Sequence, residues 1–531
     1  MSRRNFLKSS IPAGFMIPSF VNKVGFRAYD SGHQFLNNLL LPSGDNDRVL
    51  VVVQLNGGND GLNTVIPIEY FSQYANSRKN IYIQSESALK LNGIDKIALH
   101  PSMTGLQQMY NEGKLHIVQS VGYPQPNFSH FRSTDILMAA SDSNQILNTG
   151  WVGRYLNESF PGFPDNYPNA TMPDPLAIQI GSVTSMALQG PSQPMGLSIS
   201  NPSSFYSFVN NIADPIPNTN AGKELKYVRE LSRQTQKYGE VIKSANAKVT
   251  TQKNYPTGNS LADQLKIVAR LIKGGLKTKI YMVNYGGFDT HSNQANSGDT
   301  KSGKHATLLG AISSAVKAFQ DDLEFLEIDD RVLGMTFSEF GRRILSNNSL
   351  GTDHGAAAPL FVFGKSVQSG VSGSTPLIPQ NASVNDNVPY QYDFRSVYAT
   401  LLSNWLCVNS TILNQVMLKD FQQLALLKSG TCGVVTSVNS SLGQVSSERQ
   451  LITIYPNPFH KNITIEFNTI GGHSLLQVLD GSGKIMSTIF DKEYSPGKFR
   501  VDYDGGYLPV GVYYIRFQNQ VFQQVKSVVK V

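Results

Sequence analysis

Up to about residue 427, apolar runs of strand length alternate with stretches in which apolar residues recur every three or four positions. Val49–Leu55 is a nearly continuous, valine-rich run, the pattern of a strand buried on both faces of a parallel sheet. Leu115–Val121, Leu176–Ile180, Lys279–Tyr285, Arg331–Phe337 and Leu360–Gly364 read as further strands. Between them the period becomes helical. Leu106–Lys114 and His130–Ala140 are helix-like, and Gly222–Lys248 is charged and helical. Leu261, Leu265, Val268, Leu271 and Ile272 share one helix face that ends at Gly274-Gly275. Lys304–Leu326 turns Leu308, Leu309, Ile312, Val316, Phe319 and Leu323 inward, and Asp393–Leu406 does the same around Phe394, Val397, Leu401 and Leu402. This alternation predicts an α/β fold, a doubly wound and mostly parallel sheet with helices on both faces.

The pattern changes after residue 427. Lys428–Glu448 is Ser, Gly, Thr and Val with few large apolar residues, which reads as a linker. From Leu451 the chain alternates with period two. Ile452–Tyr455, Ile463–Phe467, Leu475–Leu479, Lys484–Ile489, Lys498–Val501 and Val512–Phe517 read as short strands of a small all-β sandwich. The GSGK at Gly481 lacks the first glycine of a phosphate-binding loop and reads as a hairpin turn. Pro191–Thr219, rich in Pro, Ser and Asn, is an irregular excursion within the α/β region. The expected organisation is a leader over 1–30, an α/β domain over 31–427, a linker over 428–450 and a sandwich over 451–531.

Length agrees with more than one core, since 531 residues exceed what a single core usually supports. The formal net charge of +7 comes without a long Lys/Arg run, so no nucleic-acid partner is indicated. A mildly basic surface suits anionic substrates or an anionic envelope. The two cysteines, Cys407 and Cys432, leave two readings open: Cys407 as a small buried apolar residue, or a bridge between the two. At the N-terminus, SRRNFLK (Ser2–Lys8) precedes Ile11–Val21, which is too short and too broken by Pro12 and Pro18 to span a membrane. The segment is either a basic tail or an address. It resembles a twin-arginine export signal, and that resemblance implies export of a protein already folded around any metal or cofactor.

The candidate chemistry sits where strands end. Lys279–Gln294 (KIYMVNYGGFDTHSNQ) is a strand, a Gly-Gly break, then Asp289 and His291. Arg48–Asp60 is a strand, Gly57-Gly58, then Asp60. Arg331–Arg343 ends in Ser338, Glu339, Arg342 and Arg343, and Thr352–Gly355 adds Asp353 and His354. A lone Asp after a strand is commonly a turn former or cap. Four such polar strand ends in one chain point instead to a metal site, because open α/β sheets bind ligands beyond the carboxyl ends of their strands. Ser129 stands at the N-cap position of the helix beginning at His130. It is either a plain cap or a nucleophile whose developing charge is stabilised by the helix end and by His130 or Arg132. Arg132, Arg342 and Arg343 are either solvated or ion-paired, or they hold anionic oxygens. His305 is expected on the surface rather than in a site.

The motifs VVVQLNGGNDGLNTVIP, GYPQPNFSHF, FDTHSNQ, SEFGRR and GTDHG resemble the bacterial family called domain of unknown function 1501, over most of Val49–Phe363. That family is related to the alkaline phosphatase and sulfatase superfamily. The resemblance implies a metal site at the strand ends, with Asp60, Asp289, His291, Glu339, Asp353 and His354 as metal ligands and Ser129 as nucleophile. It implies divalent metal ions (zinc, manganese, magnesium or calcium) and hydrolysis of phosphate or sulfate esters on a small-molecule or polymer-linked substrate. The alternative is a non-catalytic surface protein that keeps the fold for binding. The spacing of two between Asp289 and His291 departs from the four usual in phosphatases, and SEFGR supplies a carboxylate without an adjacent imidazole. YPNPF (Tyr455–Phe459), LPVGVYYIRF (Leu508–Phe517) and the terminal KSVVKV resemble the type A sorting domain of the type IX secretion system. A carbohydrate-binding sandwich is the other reading of these strands. The sorting resemblance implies export machinery as partner and a periplasmic transit to the cell surface or medium.

Overall fold

The structure, a computed structural model, describes residues 19–21, 24–26, 46–202, 219, 238–428, 432, 452–469, 472–480, 485–495, 497–519 and 523–531. The Ser2–Lys8 address, most of the linker and most of the Pro191–Thr219 excursion lie outside them. The chain divides into two compact units, Met1–Thr436 and Ser437–Val531.

The first unit is built on a nine-stranded sheet. In chain order its main elements are β1 (Val49–Asn56), α1 (Thr104–Asn111), β2 (Leu115–Gly122), α2 (His130–Ala139), α3 (Trp151–Ser159), β3 (Ala177–Ile180) and β4 (Leu197–Ile199). There follow α4 (Ser260–Lys273), β5 (Ile280–Gly286), α5 (Lys304–Phe325), β6 (Val332–Ser338), the hairpin β7 (Arg342–Ser346) and β8 (Thr352–His354), then β9 (Ala358–Phe363), β10 (Gly370–Ser372), β11 (Tyr392–Asp393), α6 (Phe394–Asn404) and α7 (Ser410–Met417). The sheet order is β10-β2-β9-β6-β1-β5-β3-β4, with β11 also pairing β2. All pairs are parallel except those of β9, which runs antiparallel to both β6 and β2.

The valine run explains the layers. Side chains alternate along a strand, so Val49, Val51 and Val53 enter one core with Leu265, Val268, Leu309, Ile312 and Phe319 of α4 and α5. Leu50 and Val52 enter the other, with Ile136, Trp151, Tyr155, Leu401 and Val416 of α2, α3, α6 and α7. Each such side chain, buried from water, contributes roughly 1.5–3 kcal/mol before entropy is counted. The strand is apolar on both faces because both faces are covered. α3 went unread in the sequence. Its stripe of Trp151, Val152, Tyr155 and Leu156 is short and carries Arg154, which is buried and donates to the carbonyls of Val416, Thr149 and Ala139. Cys407 and Cys432 are disulfide-bonded.

The second unit has two antiparallel sheets. Ile452–Tyr455, Asn462–Thr469 and Gly497–Asp504 form one, and Ile485–Tyr494, Gly472–Leu479, Gly511–Asn519 and Gln523–Lys530 form the other. Ile463, Ile465 and Phe467 pack with Leu476, Val478, Ile515 and Phe517 in their common core. Residues 481–484 lie outside the described residues, and the strands on either side of them pair antiparallel.

Candidate metal centre

β1 and β5 lie side by side and end together, with Gly286 opposite Asn56. Beyond their ends the two chains cross closely. Gly57 has φ +117°, and a Cβ there would stand 2.3 Å from the Asp289 nitrogen. Only glycine lets the Phe288-Asp289 peptide lie against β1, where the Phe288 N–H donates to Asn56 O at 3.0 Å. Arg342, at the start of β7, is fully buried beneath this crossing. Its guanidinium donates to the carbonyls of Gly57, Gly58, Phe288 and Thr352 and to Asp289 Oδ1 at 2.9 Å. That placement removes it from any role in holding a substrate anion and makes it the support of Asp289.

Three imidazoles converge on the Asp289 carboxylate. His130, the first residue of α2, brings Nε2 to 3.5 Å from Oδ2. His291 Nε2 stands 3.1 Å and His354 Nε2 3.2 Å from Oδ1. The Nε2 atoms of His291 and His354 are 2.9 Å apart. Ligand atoms of His130, Asp289 and His354 all lie within 4.8 Å of one another. Each ring is held from its far side. His130 Nδ1 meets Glu339 Oε2 at 2.5 Å, His291 Nδ1 meets Asp353 Oδ1 at 3.2 Å, and His354 Nδ1 meets Phe128 O at 2.7 Å. These acceptors place the Nδ1 protons, so the inward Nε2 lone pairs are free to coordinate. An outer carboxylate or carbonyl orienting a ligating histidine is the usual support of a metal site.

The electrostatics agree. Partial burial pushes the Asp289 carboxyl up, but the hydrogen bond from Arg342 and the His354 and His291 imidazoles beside it outweigh this and bring the group down to about 2. Burial pushes Asp353 up as well, and Asn347 and His291 more than reverse that. Burial holds His354 below the ordinary imidazole value, against the opposing pull of Phe128 O and Asp289. Anionic carboxylates and neutral imidazole are the states in which these groups bind metal.

The structure therefore brings Asp289, His291 and His354 together, with Glu339 and Asp353 behind His130 and His291. His130 as a member of the donor set was missed by the sequence reading, although it lies within GYPQPNFSHF. Its only signal was its place at the first turn of a helix following a strand. Ser129 is exposed beside it, and its side chain makes no cap hydrogen bond. Arg132 is turned to the carbonyls of Ser143 and Gln145. Arg343 donates through Nε to His354 O at 3.0 Å and lies over the Phe128 ring at 5.6 Å. Asp60 is fully buried and is engaged by Arg78 Nη1 at 2.5 Å and by Gln294. His305, expected on the surface, is buried. Its backbone N–H donates to Gln294 O, which draws the start of α5 inward, and its Nε2 donates to Asn59 Oδ1 at 3.0 Å. Burial depresses the His305 pKa to about 4, against the pull of Asp60.

Residues 47–415 match the family described as protein of unknown function (DUF1501), and the chain belongs to that family. Residues 453–531 match the secretion system C-terminal sorting domain. No curated protein matches. Among solved structures, the chain is similar to a protein in the alkaline phosphatase superfamily from Vibrio parahaemolyticus, at 11% identity and TM-score 0.34, covering 84% of this chain and 82% of that one. It is also similar to the PsFucS1 sulfatase from Pseudoalteromonas sp., at 9% identity and TM-score 0.31, covering 90% and 88%. No residue role is carried across from them.

Proposed function

We propose that this protein is an exported, metal-dependent hydrolase of phosphate or sulfate esters. The observation that carries the reading is the convergence of three histidine Nε2 atoms on Asp289, each ring fixed from behind by an acceptor at Nδ1. His130, Asp289 and His354 would hold the metal, with His291 beside Asp289 and His354 as a further donor, and Glu339 and Asp353 would orient His130 and His291. Imidazole-rich donors with one carboxylate favour zinc or manganese over magnesium or calcium. A divalent ion there supplies Lewis-acid polarisation of a phosphoryl or sulfuryl oxygen.

The remaining roles belong to the rim. Ser129, with its hydroxyl uncommitted to capping, is the candidate nucleophile, and the N-terminus of α2 favours negative charge developing on it. Arg343, anchored through Nε, is the residue placed to orient an anionic oxygen. The site is open. Asp289 is 45% exposed and Asp353 63% in their side chains, which suits an ester carried on a polymer lying across the strand ends. The sorting domain supports delivery to the cell surface or medium, where such polymers are met. Among the described residues no helix is long and apolar enough to cross a membrane.

The test is metal analysis of protein purified without chelator, with assays on aryl phosphate and aryl sulfate panels supplemented with zinc, manganese, magnesium or calcium. Bound metal and hydrolysis that both vanish in Asp289→Ala are expected. Absence of both in the wild type would sink the reading and leave the non-catalytic binding protein in its place.

A further inference from the structure

We propose that Gln294 is a positioning residue, a clip that sets the spacing of His291 and His354, and that Asp60 serves it by fixing its amide. The inference rests on the metal-site reading above. Thr290 lies between Asp289 and His291, and Thr352 precedes Asp353 and His354. Both threonine hydroxyls donate to one atom, Gln294 Oε1, at 3.1 and 2.8 Å. The same two segments are joined through the backbone, Thr352 N–H to Thr290 O at 3.1 Å. Gln294, Thr290 and Thr352 are all buried, so water does not compete for these bonds.

The orientation of the amide is determined by its other end. Gln294 Nε2 faces Asp60 Oδ2, and an ionised carboxylate only accepts, so the nitrogen must point there and the oxygen toward the threonines. Asp60 is itself anchored. Arg78 Nη1 donates to its Oδ2, and the same guanidinium donates to Ile344 O at 2.9 Å and Arg343 O at 2.7 Å on β7, the strand paired with the His354 strand. The network thus runs from β7 through Arg78, Asp60 and Gln294 to the residues flanking both histidines. Its donors converge on the carboxylate from two sides: the guanidinium donates to Asp60 directly, and the threonine hydroxyls donate to the amide, which in turn donates to Asp60. That is why Asp60, in an acid position after the first strand, acts from behind the site.

A double-mutant cycle tests this. Metal dissociation constants are measured by chelator competition with zinc and cobalt, the cobalt visible spectrum is recorded, and crystal structures of metal-free variants give the His291–His354 Nε2 separation. Gln294→Met should weaken metal binding about ten- to hundredfold, the range for residues supporting ligands. It should also change the cobalt spectrum and widen the separation from 2.9 Å. Thr290→Val, which keeps shape and removes one donor, should act in the same direction by a smaller factor and decides the matter if Gln294→Met does not fold. Combined in one chain, Gln294→Met and Thr290→Val should cost little more than Gln294→Met alone, because Thr290 acts through the Gln294 amide. Unchanged affinity and unchanged Nε2 separation in both Gln294→Met and Thr290→Val would overturn the inference, as would a double variant whose loss is the full sum of the two single losses. If the wild type takes no metal, the proposed function falls, and the Nε2 separation alone still decides on the clip.

Discussion

His291 Nε2 lies 2.9 Å from His354 Nε2, and each ring meets an acceptor at its Nδ1. Phe128 O can only accept, so the proton of His354 sits on Nδ1; Asp353, held anionic, places the proton of His291 in the same way. Two bare lone pairs at that distance repel. The pair is relieved only by a cation between or beside the nitrogens, a proton or a metal. Asp289 on one side supplies the matching negative charge.

Metal and proton therefore compete for the same atoms. Zinc affinity should fall as the pH drops below the ordinary imidazole value, since burial holds His354 beneath it. His354→Ala should cost more than the roughly hundredfold ceiling for a supporting residue. Calorimetric titration with zinc at several pH values measures both. Affinity that is flat across this range, or a His354→Ala protein that binds as tightly as the wild type, would remove the histidines from the donor set.

Arg342→Lys should destabilise the first unit by on the order of 3 kcal/mol while retaining the charge. Lysine lacks the planar fork, so several of the four buried carbonyls now met by Arg342 would lose their donor, each at roughly 1–3 kcal/mol before relaxation. Asp289 would loosen with it. Urea unfolding gives the number as a lower midpoint at unchanged slope. A change smaller than about 0.5 kcal/mol, the size of an ordinary surface substitution, would show that the guanidinium is not the support described here.

Much of the fold was legible in the sequence because its signals are local. Val49–Leu55 could only be a strand covered on both sides, and the period of Leu308 to Leu323 fixed which face of α5 is inward. The glycine breaks announced where side chains leave the sheet, which is why Asp289, His291 and His354 could be picked out. What escaped notice was decided by neighbours far along the chain. Nothing near Asp60 says that Arg78 will take its carboxylate, nothing near Arg342 says that four carbonyls will close over it, and His305 looks like a polar residue at a helix start until Asn59 and Gln294 are packed against it. His130 shows the same limit from the other side, since Glu339, its orienting partner, is more than two hundred residues away.

His305 also sets an acid limit. Its folded pKa is depressed to about 4, below the ordinary unfolded value near 6.5, so the unfolded chain binds the extra proton between these pH values. The stability it contributes is full above about 6.5 and is lost as pH falls through the folded value. At about 1.4 kcal/mol per pH unit the loss is on the order of 3 kcal/mol. His100, pushed down to about 3 chiefly by burial, adds in the same direction and extends lower. Unfolding free energies of the metal-free protein from pH 7 to 4 should slope downward toward acid, and His305→Gln should flatten the slope. An equally steep slope in that variant would mean that His305 is not buried neutral.

The two units should separate cleanly on truncation. The cores of the first unit draw their buried residues from Val49 to Leu426, and the core of the second draws its own from Ile452 to Val528, with no residue in common. Among the described residues each sheet closes its hydrogen bonds within its own unit. Removing Leu451–Val531 should therefore leave a soluble body whose thermal transition matches that of the first unit in the full chain. If the second unit is the sorting module its family match describes, the truncated protein should remain in the periplasm of its own host. Calorimetry reads the first outcome and cell fractionation the second. A shortened protein that unfolds would refute the boundary, and one that is folded yet still reaches the surface or medium at the normal level would refute the export role while leaving the boundary intact.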